Sequence, residues 1–521
     1  MFIKSMKQLC IATLMINVLI ISGCICKERN TTTQAHNGKP NIIYIMADDL
    51  GYGELGCYGQ RLIETPNIDK LRANGMKFTQ HYSGSAVCAP SRCVLMTGKH
   101  SGHAHIRGND EWRERGEVWS FSAMNRDPNL EGQRPMPADT ITIASLLKTA
   151  GYTTACVGKW GLGAPNTEGV PNRQGFDLFF GYNCQRQAHT YFPCHLWRNE
   201  ERVMLRNKEV EPRTKIPVGA DPLDESSYAD FTLTDYAPDL MFAEISRFVD
   251  ANKDKPFFLY WASPIPHMPL QAPKRWVDYY VKKFGDEEPY LGKMGNFHCR
   301  YPPATNAAMV SYLDENVGCL IQQLKDVDIY EDTLVIFTSD NGYSYNGGTD
   351  SPWFKSGGTF NPERGWGKGS LQEGGIRVPL IATWPGKIKP GTESTHLSAF
   401  WDALPTICEV AQVTPPADID GISYLPTLLQ RNQQREHDYL YWEFPAAGAL
   451  QAVRINNWKA IRRNIAKGNM RIELYDLNND IREEHDLAEQ HPEVVDRVTE
   501  IMRTARTTPT LERFQIKALG D

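Results

Sequence analysis

Two pairs of oxygen-bearing residues, Asp48-Asp49 and Asp340-Asn341, each follow a short apolar run, Asn41–Ala47 and Thr333–Thr338. Three carboxylates and an amide oxygen make an all-oxygen donor set suited to a hard cation such as calcium or magnesium. Either pair alone would serve as a strand-end turn or a helix cap. What sets them apart is a candidate nucleophile between them: Cys88, in the stretch Ser85–Lys99, SAVCAPSRCVLMTGK. A cation beside it would neutralise an anionic substrate and an oxygen nucleophile that otherwise repel each other. Three cations and one imidazole complete the set. Arg92 follows Cys88 closely, Lys159 lies between Gly158 and Trp160, His267 falls in Pro-His-Met-Pro, and Lys368 precedes Gln372-Glu373-Gly374-Gly375. A lone Lys or Arg in a loop is ordinarily solvated, so it is their company that singles these out.

The elements needed to bring them together are readable. Asn41–Ala47 is a buried strand ending in two carboxylates; Thr153–Val157, Pro256–Ala262 and Thr333–Thr338 are strands that likewise run into polar clusters. Helices are predicted over Thr65–Gly75, Pro90–Thr97, Thr140–Ala150, Ala237–Asn252 and Ala307–Val327. Strands alternating with helices predict a doubly wound α/β sheet, in which sites gather at the C-terminal strand edge. Pro90 near the first turn of its helix puts Cys88 at or just before a helix N-terminus, which favours an anion. Beyond Ile388 come a helix, Asp402–Val410, then short alternating runs at Tyr439–Phe444, Gln451–Ile455, Trp458–Arg463 and Glu473–Asp476. A second helix, Pro492–Thr507, closes a smaller α+β subdomain with an antiparallel sheet.

Cys-x-Pro-Ser-Arg running to Thr-Gly-Lys resembles the signature of the type I sulfatases, the family that includes arylsulfatases and N-acetylgalactosamine sulfatases. The likeness extends through Asp48-Asp49-Leu50-Gly51, Thr65–Asp69, Gly158–Trp160, Pro266–Pro269, Ser339–Gly342, Lys368 with Glu373–Gly375, and Leu474–Leu477. It implies an alkaline-phosphatase-like mixed sheet and a cysteine oxidised to formylglycine by a formylglycine-generating or anaerobic sulfatase-maturating enzyme. It also implies one calcium ion held by Asp48, Asp49, Asp340, Asn341 and the modified Cys88. In that scheme Arg92 and Lys159 hold the aldehyde hydrate, Lys368 and His267 bind sulfate oxygens, and His267 protonates the leaving sugar oxygen. One hydrate hydroxyl attacks sulfur; the second, on losing its proton, expels sulfate and restores the aldehyde, which a plain Ser or Cys cannot do.

One position departs from the pattern. Many sulfatases carry a histidine after Gly-Lys-Trp, where this chain has Gly161. His189 and the His103/His105 pair are the candidates to replace it, and His189 is expected to fold into the vacant space. The loops Arg107–Asn109, His189–Trp197 and Trp353–Trp366 are expected to line a sugar pocket, with Arg107 and Arg364 contacting hydroxyls or a carboxylate. Gly-Lys-Trp-Gly followed by Gly175-Phe176-Asp177 and Gly181-Tyr182-Asn183 resembles bacterial enzymes acting on galactose or N-acetylgalactosamine sulfates, at 4-O or 6-O, in glycosaminoglycan or mucin degradation.

Composition is consistent with this reading. The chain has 521 residues, 41% hydrophobic and 23% charged, with a formal net charge of −6, so no nucleic-acid surface is expected. Lys4 and Lys7 precede an apolar run, Leu9–Ile21, too short for a membrane span and suited to a signal peptide. It ends Ile-Ser-Gly-Cys, which resembles a bacterial lipobox with Cys24 as the lipidated residue. The expected layout is a lipoprotein signal peptide (1–23), a tether (24–39), a catalytic domain (40–432) and the C-terminal subdomain (433–521). The protein is then exported to the periplasm or cell surface, touching the membrane only through the lipid. Export permits disulfides, and Cys184 and Cys194 are close enough in sequence to pair across a loop. The rival readings are a phosphatase or phosphodiesterase of the same superfamily, and an inactive glycan-binding lipoprotein.

Overall fold

The computed structural model describes residues 38–521 apart from 294 and 361; the signal peptide, Cys24 and most of the tether lie outside the described residues. Among the described residues sixteen strands run in chain order. They are β1 (Asn41–Ala47), β2 (Met76–Phe78), β3 (His81–Tyr82), β4 (Thr153–Lys159), β5 (Leu178–Tyr182), β6 (His195–Arg198), β7 (Glu201–Met204) and β8 (Phe257–Ala262). The rest are β9 (Thr333–Ser339), β10 (Leu380–Thr383), β11 (Thr392–Ser394), β12 (Ser398–Ala399), β13 (Leu440–Phe444), β14 (Leu450–Ile455), β15 (Trp458–Arg462) and β16 (Ile472–Asp476).

Ten of them form one mixed sheet in the order β11-β2-β10-β9-β1-β8-β4-β5-β6-β7. The middle of that order decides the function. Strands β9, β1, β8 and β4 are adjacent and parallel, with Ala47 opposite Ser339, Met46 opposite Ala262, and Gly158 opposite Ala262. Their C-terminal ends therefore deliver Asp340-Asn341, Asp48-Asp49, the loop to His267, and Lys159 to one edge. All seven residues of β1 are buried, as a central parallel strand requires. Ile42, Tyr44 and Met46 join the core on one face; Ile43, Ile45 and Ala47 join the core on the other.

Helices cover both faces. Helix Pro302–Asp326 packs against helix Lys274–Phe284, and its Asp314 carboxylate accepts the Asn67 and Ile68 amides, capping the helix Pro66–Ala73. The C-terminal sheet, β13-β14-β15-β16, is antiparallel throughout, and the helix Pro492–Thr504 lies against it. Buried charge locks it to the large domain. Lys459 on β15 bonds Glu373 (2.7 Å), which also takes the Tyr82 hydroxyl (2.7 Å) and Arg377 (2.9 Å). Among the described residues no helix is long and apolar enough to cross a membrane.

Two expectations about cysteine and arginine are corrected. Cys184 and Cys194 are both free thiols: Cys184 Sγ lies 3.8 Å from Met124 Sδ, and Cys194 Sγ accepts from Asn125. Arg107 does not face a sugar pocket. It is 2% exposed and spends its guanidinium on Glu443 (2.9 Å), the Ala104 carbonyl and Thr507, joining the large domain to β13 and the C-terminal tail.

Candidate active site

Cys88 is the first residue of a helix, Cys88–Thr97, every residue of which is buried. Val87 before it is extended, and the Ala89 amide is held by Asn109 Oδ1 at 3.1 Å. Cys88 Sγ therefore lies at the end where free N–H groups and the helix dipole favour negative charge. It sits 3.5 Å from Asp48 Oδ1 and 3.5 Å from Lys159 Nζ, and Lys159 Nζ is 2.6 Å from Asp48 Oδ2. Burial, with Asp48 adding to it, pushes the thiol up to about 12. As an unmodified cysteine it is protonated at neutral pH, the wrong state for a nucleophile.

Arg92, one helical turn on, points back into the cluster. Its guanidinium bonds Asp340 Oδ2 through Nη2 (2.8 Å) and Nε (3.2 Å), lies 3.3 Å from Asp48, and also takes the Lys159 carbonyl. Asp49, in the left-handed region at φ 66°, receives its own bonds: Asn341 Nδ2 (2.8 Å) and Lys368 Nζ (2.8 and 2.9 Å), with His267 Nε2 at 3.8 Å. His267 Nδ1 meets the Met268 carbonyl at 2.6 Å, which assigns its proton to Nδ1 and leaves Nε2 facing the cluster.

Three buried carboxylates thus meet three buried or half-buried cations. Burial would raise Asp48, but Lys159, Arg92 and Lys368 outweigh it and hold that carboxyl far below its usual range. Asp340 goes the other way, to about 6, because burial and Asp48 outweigh Arg92, and burial likewise raises Asp49. Burial and the neighbouring Lys159 and Lys368 drive His267 well below its ordinary value, so it is neutral at pH 7. The donor set also fits a cation. Asn341 Oδ1 is fully buried with no hydrogen-bond partner, on the same amide whose Nδ2 bonds Asp49. Atoms of Asp48, Asp49, Cys88 and His267 all lie within 4.8 Å of one another. An orphaned amide oxygen next to carboxylates of raised proton affinity is what a hard cation would relieve.

Asp48, Asp49, Cys88, Arg92, Lys159, His267, Asp340, Asn341 and Lys368, all expected from the sequence, meet in this one cluster. His189 joins differently from expectation. A Cβ at Gly161 (φ 82°) would meet Gln133 Oε1 and Gln185 Cγ at 2.8 Å, so two glutamines fill that space and the imidazole does not. His189 instead meets His267 edge to face, ring centres 5.1 Å apart, with its Nδ1 on the Arg186 carbonyl. His103 is taken by Asp420 (2.9 Å) and His105 by Thr510. Arg364 is exposed and stacks on Trp366. Trp197 is buried on Glu131, and Trp353 packs on Phe284 and Phe354. Sequence reasoning missed Tyr191, whose hydroxyl holds the Pro264 (2.5 Å) and His267 (2.6 Å) carbonyls and so shapes the His267 loop. A loop tyrosine carries no signal by which it could have been found.

Comparison with known proteins points the same way. Residues 40–413 match the Sulfatase family model, and residues 363–508 match one described as N-sulphoglucosamine sulphohydrolase, C-terminal. The chain is 33% identical to human arylsulfatase A over 442 residues, covering 81% of this chain and 74% of that one. It is 29% identical to an N-acetylgalactosamine-6-O-sulfatase of Bacteroides thetaiotaomicron, covering 94% and 97%. Among solved structures, Ps i-CgsB in complex with k-i-k-neocarrahexaose superposes with a TM-score of 0.70 at 28% identity, covering 91% and 94%.

Proposed function

Since this chain belongs to the sulfatase family and is a sulfuric ester hydrolase, we propose that it is an exported, lipid-anchored exosulfatase acting on galactose or N-acetylgalactosamine sulfates through formylglycine at position 88. The seat of Cys88 carries this reading: a helix N-terminus, between Asp48 and Lys159, with a thiol too weakly acidic to serve unmodified. Formylglycine at this position would supply, as its hydrate, a hydroxyl nucleophile and a second hydroxyl able to lose a proton. Asp48, Asp49, Asp340, Asn341 and residue 88 would hold a calcium ion, and such an ion would supply positive charge toward the sulfate.

The chain's own side chains do the rest. Lys159 Nζ, within reach of residue 88 and fixed by Asp48, stabilises negative charge on an oxygen there. Arg92 does not reach outward; it holds Asp340 and Asp48 in place. Lys368 and His267 flank Asp49 and face the incoming sulfate; in this reading His267 Nε2, bare in the unliganded protein, takes up a proton when the anionic ester enters and passes it to the departing sugar oxygen. The sugar class is supported by the names of the relatives, including the Bacteroides thetaiotaomicron enzyme.

The test is turnover by protein co-produced with a maturating enzyme. Sulfate release from 4-nitrophenyl sulfate should exceed phosphate release from 4-nitrophenyl phosphate, and a panel of galactose and N-acetylgalactosamine 4-O- and 6-O-sulfates should contain the preferred sugar. Faster phosphate turnover would count against the reading and favour a phosphatase.

A further inference from the structure

A cleft of about 650 Å³ opens beside the catalytic cluster, with His189 in its wall. Because the His189 ring touches that of His267, the cleft begins one imidazole away from the reacting centre. Its other walls come from separate loops and carry Arg113, Trp119, Arg186, Glu211 and Arg213. Two features distinguish it from an ordinary surface hollow. Trp119 is 56% exposed, an unusual position for a tryptophan, and the Arg186 guanidinium lies 5.7 Å from its ring centre. The cations are also unevenly neutralised. Arg186 is 2% exposed and bonded at its ends to Glu111 (3.4 Å) and the Leu130 carbonyl, yet its Nε is buried without a partner. Arg113 and Arg213 are exposed and make no ion pair or side-chain hydrogen bond among the described residues, and Glu211, the acid of the wall, is engaged by the Ser122 amide.

A protein with net charge −6 thus concentrates unpaired positive charge and an exposed indole next to its anion-cleaving centre. Indole faces stack on sugar rings, and guanidinium groups bind carboxylate and sulfate through paired N–H donors. We propose that this cleft is a second anion-binding subsite: the sugar next to the one losing its sulfate stacks on Trp119, and a negative group on that neighbour is held by Arg113 and Arg213. The substrate is then an acidic disaccharide or longer glycan, with a hexuronate or a second sulfate one residue from the scissile ester, rather than a monosulfated monosaccharide. This rests on the sulfatase reading above and names the substrate class for it.

The experiment separates the two. Turnover of 4-nitrophenyl sulfate by the matured protein tests the sulfatase reading alone. The subsite is tested by calorimetric binding to Cys88→Ala, which needs no turnover. The ligands are an N-acetylgalactosamine sulfate, the same sugar linked through C1 to glucuronic acid, and the same sugar linked to a second N-acetylgalactosamine sulfate. At least one acidic disaccharide should bind on the order of tenfold tighter than the monosaccharide, and the two disaccharides tell which anion is read. Adding Arg113→Ala and Arg213→Ala should remove that preference, while Trp119→Ala should weaken both disaccharides. Equal affinity for the monosaccharide and both disaccharides, or a preference that survives the double arginine change, would overturn the proposal.

Discussion

The imidazoles of His189 and His267 meet edge to face with their centres 5.1 Å apart, and each commits its Nδ1 to a backbone carbonyl. Both are therefore held with Nε2 as the available nitrogen, and burial with Lys159 nearby brings His189 down to about 4. A protonating role for His267 makes a leaving-group prediction. His267→Ala should cost on the order of 100-fold or more in kcat/KM on a sugar sulfate, whose alkoxide needs a proton. It should cost far less on 4-nitrophenyl sulfate, whose phenolate leaves unaided. His189→Ala should cost less on the sugar, and adding it to His267→Ala should change little, since one acts through the other. Equal losses on both substrates would count against His267 as the acid.

Gly161 predicts a failed transplant. Placing the family's histidine there forces a residue with a Cβ into φ 82°, and that Cβ against Gln133 and Gln185. Gly161→His should lower stability by about 1–2 kcal/mol and lower activity. A variant with unchanged Tm and raised turnover would show that the space is free after all.

This position also marks the limit of what the sequence carried. The glycine was visible, but its neighbours come from two loops, and no periodicity or spacing predicts that two glutamines converge on it. Arg107 failed for a similar reason: its partner Glu443 is a strand residue of the other sheet, so a cation in a loop read as a ligand contact is a buried brace. The central strands were legible because strands buried on both faces read as unbroken apolar runs, and β1 and β9 begin at the expected residues. Strand β4 runs two residues past the expected Val157, to Lys159, because its parallel partners β5 and β8 extend beside it. The outer hairpin β6-β7 and the antiparallel insertion of β10 between β9 and β2 were not readable, since edge pairing is decided by tertiary contact rather than pattern.

Calcium should stabilise the protein in a pH-dependent way. With no ion, Asp340 titrates at about 6 in the folded protein, above the ordinary carboxylate range, because of burial and Asp48. A raised folded value means the associated stability is complete below the unfolded value of about 4 and is lost as pH rises through about 6, on the order of 3 kcal/mol. Calcium replaces the proton, so the gain in Tm over an EGTA-treated sample should be larger at pH 8 than at pH 5. The same gain at both would contradict the assignment of Asp340 as a ligand.

Lys459 predicts a purely structural loss. Its ammonium is fully buried between Glu373 (2.7 Å) and Glu483 (3.7 Å), and Glu373 lies just beyond the Lys368 loop. Lys459→Ala leaves two buried acids facing each other and should cost about 3–5 kcal/mol in denaturant unfolding. Loss of activity should follow the loss of folded protein. An unchanged midpoint would show that the Lys459–Glu373 pair does not hold the small sheet in place.

Whether residue 88 is formylglycine is decided by the mass of its peptide, taken from protein co-produced with a maturating enzyme. That peptide should be about 18 Da lighter than the cysteine peptide, a thiol exchanged for an aldehyde oxygen, reactive toward hydrazides and present in proportion to sulfatase activity. Full sulfatase activity in protein whose residue 88 is entirely cysteine would contradict it.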